Sequence, residues 1–203
     1  PHYAYDLLGV MKSTFLPRFF IQPDEQEAIS VIRAVRFANE IGAIPAYAYL
    51  GDVGESPTGD KKAQRFEDAF LDELVQELAR LGFKSITYMP PRNTKDQLLR
   101  VQRLAAEAGL MEISGVDINS SRQSFNCPEV MEPTFRHLND TTWALIAHEK
   151  LATQEERYAL FSEENPVGEL PIKERLRRYA RLGRSMDRSK PRSLIERAGE
   201  LLK

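Results

Sequence analysis

The sequence predicts an α/β fold in which short parallel strands alternate with covering helices, followed by a helical C-terminal tail. One pattern occurs three times: a helix-like stretch ends in glycine, and an apolar strand-like run follows and ends in polar residues. The copies are residues 37–52, 78–93 and 105–120, and a fourth apolar run, with its strand at 143–147, ends at His148 and Glu149. Short, nearly all-apolar strands that alternate with helices are typical of parallel sheets covered by helices.

The helices between these strands carry their own boundary signals. Gly42, Gly82 and Gly109 each stand where a helix C-cap needs a left-handed residue. Thr94 is a good N-cap for a helix over 95–108, and another helix is expected over about 65–81. Pro23-Asp24-Glu25 predicts the start of the first long helix, because proline and acidic residues favour a helix N-terminus.

Composition bounds the class of protein. The chain has 203 residues, 42% of them apolar and 29% charged, which is typical of one sizeable soluble domain or a domain with an appendage. No apolar run is long enough to span a membrane. Cys127 is the only cysteine, which excludes an internal disulfide and fits a reducing cytoplasm.

The charge is divided unevenly along the chain. Residues 173–203 hold 11 Lys/Arg and 4 Asp/Glu, a net charge of +7, and the first 172 residues hold the remaining 17 and 26, a net charge of −9. We therefore expect an α/β domain over 1–152 and a basic helical tail over 153–203, and attraction between the two. The basic residues of the tail give only weak support for nucleic acid binding, because they also fit the solvated face of a helix.

Four strands are too few to close a barrel of about eight. The chain also begins at Pro1 without a methionine. Both observations suggest that the N-terminal part of a barrel is missing. We expect the open sheet edge to be covered by an N-terminal segment, by the tail or by a second copy of the chain.

Ligands of parallel α/β sheets bind at the carboxyl ends of the strands, so polar residues there are the candidate site. One site assembled from four strand ends is expected, and its members are Tyr49, Asp52, Tyr88, Arg92, Asp117, Asn119, His148 and Glu149. Residues 51–61, rich in Gly, Ser, Pro and Asp, follow the first strand as either a substrate loop or a plain exposed connection.

The residue types of this set indicate metal or anion chemistry. Asp117 ends an apolar strand, where a carboxylate binds a divalent cation, acts as a base, or caps its own turn. Asp52 offers oxygen ligands, and His148 offers an imidazole suited to zinc, iron or manganese. Arg92 and Arg122 suit an anionic substrate group, with surface ion pairs as the alternative. The chain has no nucleotide-binding glycine fingerprint, no CxxC pair and no nucleophile elbow.

The order of segments resembles the C-terminal half of the polymerase and histidinol phosphatase (PHP) family. The resemblance lies in PHYAYDLLGV, in GAIPAYAY after a helix, and in LAAEAGLMEISGVD, and it covers residues 1 to about 122. Asp117 matches the family's metal-binding aspartate, and His2 matches a histidine of its middle segment. Tyr49 and Asn119 stand where the family has histidines, and the family's first HxH motif would lie upstream of Pro1.

The resemblance implies a distorted βα barrel whose strand ends hold divalent metals for phosphoester hydrolysis. The leading function is therefore a divergent metal-dependent hydrolase of a phosphorylated small molecule, with Zn, Mn, Fe or Mg as its metal. Its implied metal ligands are Asp117, Asp52, His148 and His2; its catalytic residues are Asp117 and His148; and its substrate contacts are Arg92, Arg122, Asn119 and Tyr49. The alternative is a non-catalytic PHP-like domain, without metal, that binds a ligand or partner. A nucleic-acid-associated accessory domain is the third class.

Overall fold

The protein is a mixed α/β structure with an open, three-stranded parallel sheet. The structure, a computed structural model, describes residues 2–53, 65–116, 118 and 124–202. In these ranges the strands are β1 (Ala46–Ala48), β2 (Ser85–Tyr88) and β3 (Met111–Ser114). The helices are α1 (Tyr3–Phe19), α2 (Val31–Glu40), α3 (Leu71–Leu81), α4 (Lys95–Glu107), α5 (His137–Ala152), α6 (Ile172–Arg184) and α7 (Leu194–Leu201). None of the helices in these ranges is long and apolar enough to cross a membrane.

The sheet has the strand order β1-β2-β3, with both pairs parallel. Tyr47, Ile86 and Glu112 are in register, so their side chains form one row on the same face of the sheet. The next row on the other face contains Ala48, Thr87 and Ile113. The three strands predicted by the repeated pattern are therefore confirmed, and so is an open sheet.

Each sheet face has its own hydrophobic cluster. On the face that carries Ile86 and Tyr88, the cluster includes buried side chains of α3 and α4, such as Val75 and Val101. On the opposite face, Met111 packs in a cluster with side chains of α5, α6 and α7. The helices cover this opposite face only in part, because Ala46 and Ala48 of β1 are exposed. Within the described residues, no further strand pairs with the outer edge of β1.

Local signals fix the helix ends that the sequence predicted. Gly42, Gly82 and Gly109 all have a positive φ, between 67° and 91°, which confirms them as left-handed caps. Thr94 forms a full capping box with Gln97: the Thr94 hydroxyl accepts from the Gln97 amide, and the Gln97 side chain accepts from the Thr94 amide. The glycines follow the ends of α2, α3 and α4, with three to five residues between each helix and the next strand, and the Thr94 box begins α4.

The predicted fourth strand at 143–147 is wrong, since these residues lie in the middle of α5. The buried positions of α5 recur every three or four residues from Leu138 to Leu151, which is the helical period. This period was not recognisable in the sequence, because a ten-residue apolar run is too short to distinguish a buried strand from a buried helix. The hydroxyls of Thr141 and Thr142 donate to carbonyls one turn earlier, so their polarity is satisfied inside the helix.

Beyond α5 the chain forms helices that pack against α5. Gly183 of α6 lies so close to α5 that a Cβ there would be 2.2 Å from the Trp143 carbonyl oxygen. Arg184 of the basic tail forms an ion pair with Asp140 of α5. This contact is one instance of the expected attraction between the basic tail and the acidic body.

The N-terminal segment contrasts with the rest of the chain. Helix α1 buries none of its residues. Helix α2 begins at Val31 with Ser30 as its N-cap, later than Pro23-Asp24-Glu25 predicted. The Asp24 carboxylate instead closes a local turn by accepting from the amides of Gln26 and Glu27.

Candidate functional site

The carboxyl ends of β1 and β2 carry a dense hydrogen-bond network, which we call the carboxyl-edge network. Its members are Tyr47, Tyr49, the 50–52 backbone, Asp52, Glu67, Asp68, Arg92, Asn93, Gln97 and Arg100. Tyr47 and Tyr49 are two residues apart in extended chain, so both side chains reach the same side of the sheet. That side is the one covered by α3 and α4.

Glu67 is the buried centre of this network. One carboxylate oxygen accepts from the backbone amides of Leu50 and Gly51, at 2.5 and 2.9 Å. The other oxygen accepts from the Tyr47 hydroxyl. A fully buried carboxylate requires such partners, because desolvation of an unpaired charge is costly. Glu67 therefore fixes the turn that follows β1, and both of its oxygens are occupied.

Asp68 extends the network toward α4. Its carboxylate accepts from the Tyr49 hydroxyl at 2.5 Å, from the Asp52 amide at 3.0 Å and from the Gln97 side chain at 2.6 Å. Burial alone would raise the pKa of Asp68, but these hydrogen bonds and the charge of Arg100 outweigh it and hold the pKa below its usual value. Asp68 is thus held as a carboxylate.

Tyr49 is the buried partner of Asp68 rather than an exposed group. It is 1% exposed. Burial, and then the hydrogen bond to Asp68, raise the pKa of the Tyr49 hydroxyl. The hydroxyl therefore remains protonated and donates to Asp68, which leaves it no role as a base.

Gly51 allows the backbone to turn inside this network. Its φ is +68°, and a Cβ there would lie 2.7 Å from both the Asn93 amide nitrogen and the Tyr49 hydroxyl. Asn93 donates to the Leu50 carbonyl at 2.7 Å, and Arg92 Nε donates to the same carbonyl at 3.3 Å. The end of β2 is thereby fastened to the turn after β1.

Three predicted site residues meet at this edge: Tyr49, Asp52 and Arg92. One Asp52 oxygen accepts from the Phe66 amide at 2.6 Å, and its second oxygen has no partner within the described ranges. Arg92 uses Nε on Leu50, and its two terminal nitrogens have no partner among the described residues. An acidic oxygen and a guanidinium end therefore lie at one rim without a partner from the described residues, and they suit a cation and an anion respectively.

Asp117, Asn119 and Arg122 lie outside the described residues, as does most of the loop over 51–61. Gly115, two residues before Asp117 in the sequence, lies at this same edge, because its amide donates to the Tyr88 carbonyl at the end of β2. Their predicted roles stay predictions. His2 is the N-cap residue of the exposed helix α1.

His148 lies elsewhere. It lines a cavity of about 620 Å³ together with Ile44 and Lys84, which precede β1 and β2, so it is at the amino end of the sheet. The expected single site of four strand ends therefore does not include His148. Its Nδ1 accepts from the Leu160 amide at 2.9 Å, so the proton of the neutral ring is on Nε2. Burial lowers the pKa of His148 and favours this neutral form.

A second polar cluster joins β2, β3, α4 and α5. The buried Glu112 carboxylate accepts from the Tyr88 hydroxyl at 2.8 Å and lies 3.1 Å from His137 Nε2. Gln102 donates to the Tyr88 hydroxyl and to the Thr134 carbonyl. Of these, the sequence reasoning singled out only Tyr88. An acidic residue inside the apolar run that forms β3 was the available signal, since buried charges need partners.

Sequence reasoning also missed Glu67 and Asp68. It placed them inside a helix over 65–81, whereas they precede α3 and bind the turn after β1. Their position just before the apolar period of 71–81 was a signal, because acidic residues collect where helices begin. Which turn they would hold depends on contacts 16 residues away and is not encoded locally.

The carboxylate oxygens of the carboxyl-edge network are the candidate ligands for a divalent metal. In the described part of the chain no group of three or more His, Cys, Asp or Glu residues is arranged to hold a metal ion. Glu67 and Asp68 already accept three hydrogen bonds each. Asp52 has one oxygen without a partner in the described ranges, so a metal at this edge would need further ligands from outside those ranges. In comparisons with protein-family models, curated proteins and solved structures, nothing matches this chain.

Proposed function

We propose that the carboxyl edge of the sheet is the active site of a divergent PHP-type metal-dependent hydrolase that acts on a phosphoester of a small molecule. The observation that supports this most is the presence of Asp52 and Arg92 at the edge where β3 also ends. Parallel sheets bind ligands at this edge. A charged acceptor and a charged donor at one edge suit a metal-bound phosphate ester.

In this proposal each residue has a distinct task. Asp52 and Asp117 hold the metal, and Arg92 and Arg122 bind the phosphate. Asn119 contacts the substrate, whereas Tyr49 acts through Asp68 by keeping the turn before Asp52 in place. A bound divalent metal would lower the pKa of its water and polarise the phosphoryl oxygen. His148 has no task here, because it lies at the amino end of the sheet.

The experiment is metal analysis of the purified chain combined with hydrolysis of p-nitrophenyl phosphate in the presence of Mn²⁺ or Zn²⁺. Asp52→Asn and Asp117→Asn should each weaken metal affinity by about 10-fold or more and lower the hydrolysis rate in parallel. Asp187→Asn is the matched control, since Asp187 is exposed and asparagine can keep its turn with Ser189. Arg92→Gln should raise KM with the metal content unchanged.

The second candidate is a non-catalytic domain that binds an anionic ligand at the same edge. It is favoured by the full occupation of Glu67, which leaves few carboxylate oxygens for a metal. In that case phosphate should bind without metal, and Arg92→Gln should weaken the binding. A parent protein that neither binds Mn²⁺ or Zn²⁺ nor hydrolyses the ester would overturn the hydrolase proposal.

A further inference from the structure

The N-terminal segment exposes far more apolar surface than a folded chain usually leaves in water. Ten large apolar side chains between residues 3 and 21 are 43% to 86% exposed. Five more, from Ile29 to Ile41, are 53% to 63% exposed. We call residues 3–41 the N-terminal apolar segment. Scattered exposed side chains are ordinary, but so many in one segment indicate a surface that is covered in use.

The described residues outside this segment leave most of it uncovered. Helix α1 buries no residue, although apolar side chains such as Leu8, Val10 and Leu16 occur around its circumference. Helix α2 packs only one face: Val35 is buried and lies close to Gly82 at the end of α3. Phe37, on the opposite face of α2, is exposed, and so is Ile32, one turn before Val35.

The amount of exposed surface matches a protein interface. A large aromatic side chain carries about 150–250 Å² of surface, so these fifteen half-exposed side chains expose on the order of 1,500 Å². A stable interface buries roughly 800 Å² per partner, whereas the largest apolar patch on a monomer is about 300–600 Å². Covering even half of this surface would supply a standard interface.

The low charge of residues 3–21 argues against binding to a lipid surface and permits self-association. Only Asp6, Lys12 and Arg18 are charged among residues 3–21, a net charge of +1. Helices that lie in a membrane interface carry a strongly charged face rich in Lys and Arg, which α1 lacks. Two copies of so weakly charged a segment repel each other little.

We infer that the N-terminal apolar segment is a dimer interface occupied by the same segment of a second copy of this chain. A twofold axis lets one self-complementary patch cover itself on both chains. This interface is separate from the carboxyl edge, and its test is independent of metal binding and hydrolysis.

The test is the mass of the full chain in solution, measured by sedimentation equilibrium from about 1 to 100 µM. The parent should have twice the 23.2 kDa mass of one chain. Leu8→Glu with Phe15→Glu, and separately Ile32→Glu with Phe37→Glu, should each raise the dissociation constant by about 100-fold or more, because each places charges in an apolar interface. The matched control, Phe125→Glu with Met131→Glu, changes exposed apolar residues elsewhere and should remain dimeric.

Far-UV circular dichroism checks that each variant is folded. We expect folding to be retained, because the changed side chains are exposed. A parent that is monomeric at 100 µM would overturn the inference. So would a dimer that both segment variants leave intact, or one that the control variant dissociates equally well.

Discussion

The carboxyl-edge network and the helical region of α5–α7 both bury polar groups next to tyrosines, yet they do so with different chemistry. At the carboxyl edge the tyrosine hydroxyls donate to carboxylates, as Tyr47 does to Glu67. In the helical region Tyr179 donates to the Tyr158 carbonyl and accepts from the Asn165 amide, so every partner is neutral. Burial raises the pKa of Tyr179 to about 12, with no carboxylate involved.

This difference separates two ways of holding a backbone in place. A neutral network costs little to bury once it is satisfied, whereas buried carboxylates carry a desolvation penalty that good packing could avoid. The helical region is held chiefly by close helix contact, with Gly183 against Trp143. The carboxyl edge instead includes this penalty, because charged acceptors hold the backbone of the turn after β1.

The largest expected effect tests close packing in the helical region. Gly183→Ala should lower the free energy of unfolding by about 3 kcal/mol, because the new Cβ would meet the Trp143 backbone oxygen at 2.2 Å. Gly199→Ala in α7 is the control, since a Cβ there has nothing within 4 Å. It should stabilise the protein by about 0.5–1 kcal/mol. Urea unfolding of both variants gives the values, and equal effects would contradict the packing argument.

The next effect tests the charge at the carboxyl edge. Glu67→Gln should cost about 2 kcal/mol of unfolding free energy, because hydrogen bonds to a buried charge are worth more than neutral ones. Glu77→Gln removes a carboxylate from an exposed ion pair with Arg80 and should cost far less, because solvent screens such a pair. If the two changes cost the same in urea unfolding, the Glu67 charge contributes nothing beyond an ordinary surface pair.

A smaller effect is expected for the neutral network. Tyr179→Phe should cost about 1–1.5 kcal/mol, since it leaves the Tyr158 carbonyl and one Asn165 hydrogen without their partner while the ring still packs. Tyr3→Phe, at an exposed position, should be neutral in thermal unfolding. A cost for Tyr179→Phe above that of Glu67→Gln would reverse the comparison between the two regions.

The smallest effect is a difference in pH dependence. The pKa of His148 is lowered by burial, so the unfolded chain takes up a proton first as the pH falls. His148 therefore stabilises the fold fully above pH 6.5, the ordinary value, and this stability is lost as the pH drops below it. The pKa of Asp68 is lowered too, so its contribution is present above pH 3.8 and is lost in stronger acid.

Denaturant unfolding measured from pH 8 to pH 3 separates the two windows. His148→Gln should flatten the loss that begins near pH 6.5, and Asp68→Asn should flatten only the loss below about pH 4. If His148→Gln leaves the slope between pH 7 and 5 unchanged, burial of the neutral ring is not the source of that slope.

The sequence was sufficient where structure depends on local contacts. The left-handed glycines and the Thr94 cap act within one helical turn, so their residue types identify them. It was insufficient for α5, whose period becomes visible only over 16 residues. Glu67 was missed for a different reason: its partners lie on β1 and in the turn after it, and only the folded sheet brings them together. For the candidate site, the rule that ligands bind at the carboxyl ends of parallel strands identified Asp52 and Arg92. The same rule placed His148 wrongly, because the strand predicted before His148 is a helix.

The pairing of residues 50–52 with Glu67 and Asp68 has a practical consequence for engineering. Hydrogen bonds fasten the chain on one side of residues 54–64 to the chain on the other side, so the two ends of that stretch are fixed by contacts outside it. Doubling the length of a loop between fixed ends costs only about 0.6 kcal/mol of closure entropy. This position is therefore a natural acceptor for an inserted reporter domain or epitope, which could be exchanged without redesigning the sheet.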